Sequence, residues 1–220
     1  ISLDGYFTDF ENRVIIDYYN SPNVVQIYNL SSPDSDFKSK SQSTTVQVEF
    51  EYSAHRRLDI RAAYRWVNAK TDYLDFVPGD MVRDPFVAEH RAFTQWSYAS
   101  RAGKDGQQTR FDATVHWVGS QRLPQPSSSQ VTELELEDHP EFSPDFTQLN
   151  LQVSQTFKGD FELYVGVENL LDVKQHNPIV GAREGSGITD TFESSFDASL
   201  VYGPIFGRMT YAGLRWTIGG

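Results

Sequence analysis

The sequence predicts an all-β fold, an antiparallel up-and-down transmembrane β-barrel wall. Three observations predict it: unbroken alternation in the strands, connections that switch between short and long, and aromatic side chains gathered in two bands. The clearest strand is Phe161 to Glu168. Phe161, Leu163, Val165 and Val167 take one face, and Glu162, Tyr164, Gly166 and Glu168 the other, a period of two.

Composition narrows the classes. The chain has 220 residues, 39% hydrophobic and 14% aromatic, and carries a formal net charge of -11 with a pI near 4.8. The acidic balance and the lack of a basic stripe argue against nucleic-acid partners. With Cys at 0 there is no disulfide framework, thiolate metal site or cysteine nucleophile. No run reaches the roughly 18 apolar residues of a membrane helix, and mean hydropathy is -0.48. A membrane strand needs only about 9 to 11 residues, every second one apolar, so these values do not exclude a barrel. There is no initiating Met or signal peptide, and Ile1 already lies inside an alternating run. The expectation is a fragment or a processed product.

Taken in order, Ile1 to Tyr19 alternates, pauses at Asp9 to Arg13 and resumes with Val14, Ile16 and Tyr18. The residues Asn20-Ser21-Pro22-Asn23 suit a turn, and Val24 to Leu30 returns as a strand before a polar stretch from Ser31 to Ser43. Next come Thr45 to Tyr52 and Leu58 to Trp66, the second with Arg61 and Arg65 opposite its apolar face. His90 to Ser100 is the least regular strand. Phe111, Ala113, Val115 and Trp117 then oppose Arg110, Asp112, Thr114 and His116. Thr147 to Phe157, the Phe161 strand and Met209 to Ile218 complete about eight strands, with no helix.

Connections at Ala54–Arg57, Arg101–Gln108 and Lys158–Asp160 are short, whereas Asn68–Glu89, Gly119–Asp145 and Val173–Arg208 are long. In a meander, alternate connections share an end, so the short ones collect on one side and the long ones on the other. Outer-membrane barrels have this asymmetry. Tyr52, Tyr98, Phe111, Phe157, Phe161 and Trp216 fall near the short-turn end, and Trp66 and Trp117 near the other, as two interfacial belts would. At about 3.3 Å per residue and a tilt of about 40°, the apolar face of Phe161 to Val167 with its flanks spans roughly 20 to 25 Å, the height of a membrane band. Arg61, Arg65, Arg110, Asp112, His116, Glu162, Tyr164 and Glu168 are then expected to face the lumen, to solvate it or to line a substrate path. Alternation alone suits a soluble β-sandwich equally well.

The motif Val167-Glu168-Asn169-Leu170-Leu171-Asp172 resembles the penultimate-strand signature of TonB-dependent outer-membrane receptors, where a strand leaves the membrane in an Asn-Leu-Phe-Asp-like turn. Tyr211 to Ile218 is similar to their closing strand, Ile1 to Val14 and Tyr28-Asn29-Leu30 to mid-barrel hairpins, and Phe196 to Pro204 with Gly207-Arg208 to the last extracellular loop of receptors of the Bacteroidetes type. Two positions depart from the pattern: Leu171 stands for Phe, and the chain ends in Gly219-Gly220 rather than on an aromatic.

The resemblance implies that residues 1–220 are the C-terminal part, about eight strands, of a 22-stranded barrel whose plug and earlier strands lie outside this chain. It implies active uptake of a scarce ligand such as a ferric siderophore, haem or cobalamin at the bacterial outer membrane, without catalysis. The implied partners are the remaining strands and plug, in the same or a separate chain, the TonB energy-coupling complex acting through the plug, outer-membrane lipid and a surface lipoprotein. The long loops offer Tyr73, Phe76, Phe86, His139, Phe142, His176, Tyr202 and Phe206 as ligand contacts. The alternatives are a small closed barrel serving as adhesin or anchor and a soluble β-sandwich binding module.

Enzymatic and metal chemistry finds little footing. His55, His90, His116, His139 and His176 stand singly, without ligand spacing. Gly181 to Gly187 lacks the Lys-Ser/Thr ending of a phosphate loop, and Ser127 to Ser129 has no nucleophile-elbow glycines. Glu133, Glu135, Glu137, Asp138 and Glu141 could hold Ca²⁺, but their alternation with Leu134 and Leu136 reads better as a solvated strand edge. No cofactor and no metal site are expected.

Overall fold

The computed structural model describes residues 1–10, 14–17, 26–29, 40–72, 81–124, 140–158, 161–176, 178 and 200–217. The strands are β1 (Ser2–Asp9), β2 (Val14–Asp17), β3 (Gln26–Asn29), β4 (Ser41–His55), β5 (Leu58–Asp72), β6 (Met81–Arg83), β7 (His90–Ala99), β8 (Gln108–Val118), β9 (Phe146–Phe157), β10 (Phe161–Glu168) and β11 (Met209–Trp216). One nine-stranded antiparallel sheet runs β1-β4-β5-β7-β8-β9-β10-β11, with β6 paired to β5. It is a meander in which chain neighbours pair except at β1–β4 and β5–β7, and it is open, because β1 and β11 do not meet.

Three details depart from the sequence pattern. The segments Val14–Asp17 and Gln26–Asn29 form a separate two-stranded hairpin, and β1 pairs directly with β4 across it. Strands β4 and β5 are each 15 residues long, so β5 continues through Asn68 to Asp72, where a connection is expected. Alternation fades there because Asn68, Lys70, Thr71 and Asp72 put polar groups on both faces. The backbone ladder against Ser41 to Thr44, rather than an apolar pattern, holds that extension as strand. The third detail is β6, three residues inside the same connection.

Register carries the alternation across the whole sheet. On one face Val48, Tyr64, Ala92 and Trp117 are successive partners, then Ile60, Trp96, Ala113, Leu151 and Val167, and Phe111, Val153, Val165 and Ala212. The opposite face carries Glu49, Glu51, Arg61, Arg65, Arg110, Asp112, Glu162 and Arg215. All four tryptophans, Trp66, Trp96, Trp117 and Trp216, lie on the apolar face. Each strand packs substantially only on the strands it is hydrogen-bonded to, so the sheet is a single layer. Among the described residues no large apolar side chain of the main strands is buried. Ala88, Leu123 and Leu200 are the buried hydrophobic ones, and all three belong to connections.

Between β10 and β11 glycine has a packing role. Gly166 opposes Tyr211 and Gly213 opposes Tyr164, and each phenol lies over the facing glycine so that a Cβ there would overlap its ring. The two rings are 6.3 Å apart, and the Tyr211 hydroxyl donates to Gln152 Oε1 at 2.9 Å on the strand beyond. Three strands are thereby tied across the polar face.

Candidate functional site

Antiparallel pairing puts the ends of β1, β5, β8 and β10 and the starts of β4, β7, β9 and β11 on one side, where the long connections gather. The tight turns occupy the other side. Buried polar side chains concentrate at this loop end: Ser41, Thr71, Asp84, Gln121, Arg122, Ser143, Asn169 and Gln175 are each at most 7% exposed. Buried polar groups are costly unless bonded, so the bonding pattern shows what is held in place.

The turn after β10 is the most heavily bonded. Asn169 adopts φ 49 and Asp172 φ 56, a left-handed backbone that Asn and Asp tolerate better than other non-glycine residues. The Asn169 amide donates to Val173 O at 2.8 Å and Phe206 O at 3.2 Å, its oxygen accepts from Val173 N at 3.0 Å, and its own N–H donates to Asn150 Oδ1 at 2.9 Å. Asp172 Oδ1 accepts the Arg208 N–H at 2.8 Å, and Arg208 Nε donates to Leu170 O at 2.9 Å. The Arg208 amide, with Lys174 Nζ 3.5 Å away, holds the Asp172 carboxyl below the usual carboxylate range. A few residues on, buried Gln175 accepts from Tyr202 N at 2.9 Å and Gly203 N at 3.2 Å and donates to Leu200 O at 3.0 Å. Both ends of the β10–β11 connection are thus clasped together.

A second clasp crosses the neighbouring connections. Arg122 bridges to Phe142, Leu123 N donates to Glu141 O, and Phe86 N donates to Arg122 O at 2.9 Å. Arg122 Nη1 donates to Arg83 O at 3.4 Å, and its Nε lies 3.7 Å from Glu141. Gln121 Nε2 reaches Tyr202 O at 3.2 Å, joining this clasp to the first. Thr71 donates to Asp84 at 2.6 Å and contacts Ser41 at 2.9 Å, fastening the end of β5 to the β6 connection.

Of the expected ligand contacts, Phe86, Phe142 and Tyr202 are drawn together through Gln121 and Arg122, while Phe206 and His176 sit on the Asn169–Gln175 clasp. Phe206 is 69% exposed and Phe142 39%, as a binding surface needs. Burial raises the Tyr202 phenol above its usual value. Tyr73, Phe76 and His139 lie outside the described residues, as do 133–138, 127–129 and 181–187. Of the residues that do the clasping, Gln121, Arg122 and Gln175 carried no pattern in the sequence, whereas Asn169, Asp172 and Arg208 stood in segments that the sequence marked out.

The side chains expected in a lumen, Arg61, Arg65, Arg110, Asp112, His116, Glu162, Tyr164 and Glu168, share the polar face. Several are paired there. Arg61 lies 3.7 Å from Glu49 and 3.2 Å from Glu51, Arg215 lies 3.3 Å from Glu162, and Asp112 accepts from Ser97 at 2.6 Å. His116 packs on Phe93 with ring centres 5.0 Å apart. No grouping of three or more potential metal ligands occurs among the described residues.

These features define a class by architecture: a single-layer antiparallel all-β wall with one apolar and one polar face and its connections clasped at one end. Neither a family model nor a curated protein matches the chain.

Proposed function

We propose that this chain is part of the wall of a bacterial outer-membrane β-barrel and serves TonB-dependent uptake of a scarce ligand, a ferric siderophore, haem, cobalamin or a similar molecule. The observation that carries the reading is the continuous apolar face of a sheet in which, among the described residues, no large apolar strand side chain is buried. Leu163, Val165, Trp96, Phe111, Val153 and Leu214 are all exposed on it, the last 66%. In water such a face would mark a missing partner; in lipid it is the solvated side. Among the described residues no second sheet packs on this face, as a β-sandwich would require.

Aromatic tips at the loop end support an interface there. Trp66 donates to Glu89 at 3.2 Å, Trp117 to Asp145 at 3.0 Å, and the Tyr64 hydroxyl meets His90 Nδ1 at 2.6 Å. Each ring has its body on the apolar face and its polar atom bonded, as in an interfacial belt. The unpaired edges of β1 and β11 favour a larger barrel over a small closed one, since each bare backbone group costs several kcal/mol in hydrocarbon. Uptake is supported by the resemblance of the β10–β11 segment and by the loops gathered at one end.

Because all four tryptophans lie on the apolar face, reconstitution into bilayers with brominated acyl chains tests the wall. Fluorescence is expected to fall by half or more, and to resist a water-soluble quencher; full quenching by the aqueous reagent alone would overturn the reading. Uptake is tested separately with labelled ferric siderophore, haem and cobalamin in cells with and without the gene, each with and without a protonophore. Equal accumulation of all three in both strains would remove the transport assignment and leave the wall.

A further inference from the structure

We infer that Arg65 and Arg91 form an oxyanion-binding site on the polar face, taking a small ligand with two or more carboxylate or phosphate groups. The two arginines are direct register partners across β5 and β7. Directly opposed residues hold their Cβ atoms within about 5.5 Å, and like charges so placed destabilise the pair. Among the described residues neither side chain makes an ion pair or a hydrogen bond. Arg61 and Arg215, on the same face, are both paired with carboxylates.

Neighbouring acids are engaged elsewhere. Glu49, one row away on β4, accepts from Gln47 at 2.7 Å and lies 3.7 Å from Arg61, and Glu89, two residues before Arg91, is paired with Arg83 at 2.6 Å and accepts from Trp66 at 3.2 Å. Gln47, the partner of Arg65 on its other side, is held by that same bond. The row beside the arginines is Ala63, Phe93 and His116, and Ala63 leaves room where a longer side chain would reach over them. Two guanidinium forks beside a small residue and an aromatic floor suit a bidentate oxyanion better than a single charge, because each fork matches two oxygens. In a chain of net charge -11, an uncompensated basic pair also makes a local positive well on an acidic surface. The inference is independent of the membrane reading, since register puts both arginines on the polar face whatever solvent meets the other.

The test uses the whole protein in detergent, with citrate and pyrophosphate as probes and chloride at matched ionic strength as control. Calorimetry should show saturable binding of at least one probe below 10 mM, weakened at least tenfold in Arg65→Gln and in Arg91→Gln. Without probe, each variant should melt at the parent temperature or above, because removing one charge relieves repulsion. If citrate and pyrophosphate give no heat at 10 mM, or if the Arg65→Gln/Arg91→Gln double variant binds as the parent does, the site does not exist. A drop in melting temperature in the probe-free single variants would also overturn it, since the arginines would then be held by a fixed acidic group covering the face.

Discussion

Val165 and Asn169 stand on the same short segment, yet they live under opposite rules. Val165 is apolar and 57% exposed on a bare sheet face; Asn169 is polar, 3% exposed and bonded on every side. Among the described residues the wall to which Val165 belongs buries no large apolar strand side chain, so its apolar surface must be satisfied by what surrounds it. The loop end to which Asn169 belongs is ordered from within by directed hydrogen bonds. A wall can therefore tolerate any side chain its solvent accepts, whereas the clasp tolerates only the donors and acceptors it was built around.

The largest expected effect breaks that contrast on the wall side. If the apolar face meets lipid as proposed, Val165→Arg should cost about 2 to 4 kcal/mol in urea unfolding of the bilayer-reconstituted protein, the range for a cation on a lipid-facing strand. Thr114→Arg, on the polar face, should stay within about 0.5 kcal/mol. Equal effects of the two would show that the faces meet the same solvent.

On the clasp side, Asn169→Ala removes the three side-chain bonds and puts alanine, which tolerates a left-handed backbone less well than asparagine, at φ 49. Local opening of 169–175 should become easier by about 2 to 3 kcal/mol, read as lost amide-exchange protection there with β5 to β8 unchanged. Protection lost evenly over all strands would mean that wall and clasp fold as one unit.

Gly166→Val sharpens the comparison at the seam. Its side chain would overlap the Tyr211 ring, and overpacking of that kind costs about 1 to 3 kcal/mol. Adding Tyr211→Ala should recover part of the loss, and a double-mutant cycle without coupling would dismiss the ring-over-glycine contact.

The smallest effect is electrostatic. The folded Asp172 carboxyl titrates below its unfolded value, so its contribution is present above that unfolded value, about 4, and is lost as pH falls through the lowered folded value. The gap in urea midpoint between parent and Asp172→Asn should be open at pH 6 and close toward pH 3. A gap that widens on acidification would reverse the assigned sign.

How much of this was legible before folding differs between the two regions. Alternation in Phe161 to Glu168, and in the other strands, settled which residues share a face, because side-chain direction along a strand is a local property of period two. Loop lengths likewise determined that the long connections gather at one end, since each tight turn reverses the chain. Tertiary structure alone decided that β1 skips the β2–β3 hairpin to pair with β4, that Asn68 to Asp72 stays in the ladder, that Arg122 and Gln175 become the buried fasteners of three connections, and that Arg65 faces Arg91. Each of these depends on which residues, far apart in the chain, end up opposite one another. Period two carries no information about that choice; backbone pairing and the satisfaction of buried polar groups make it.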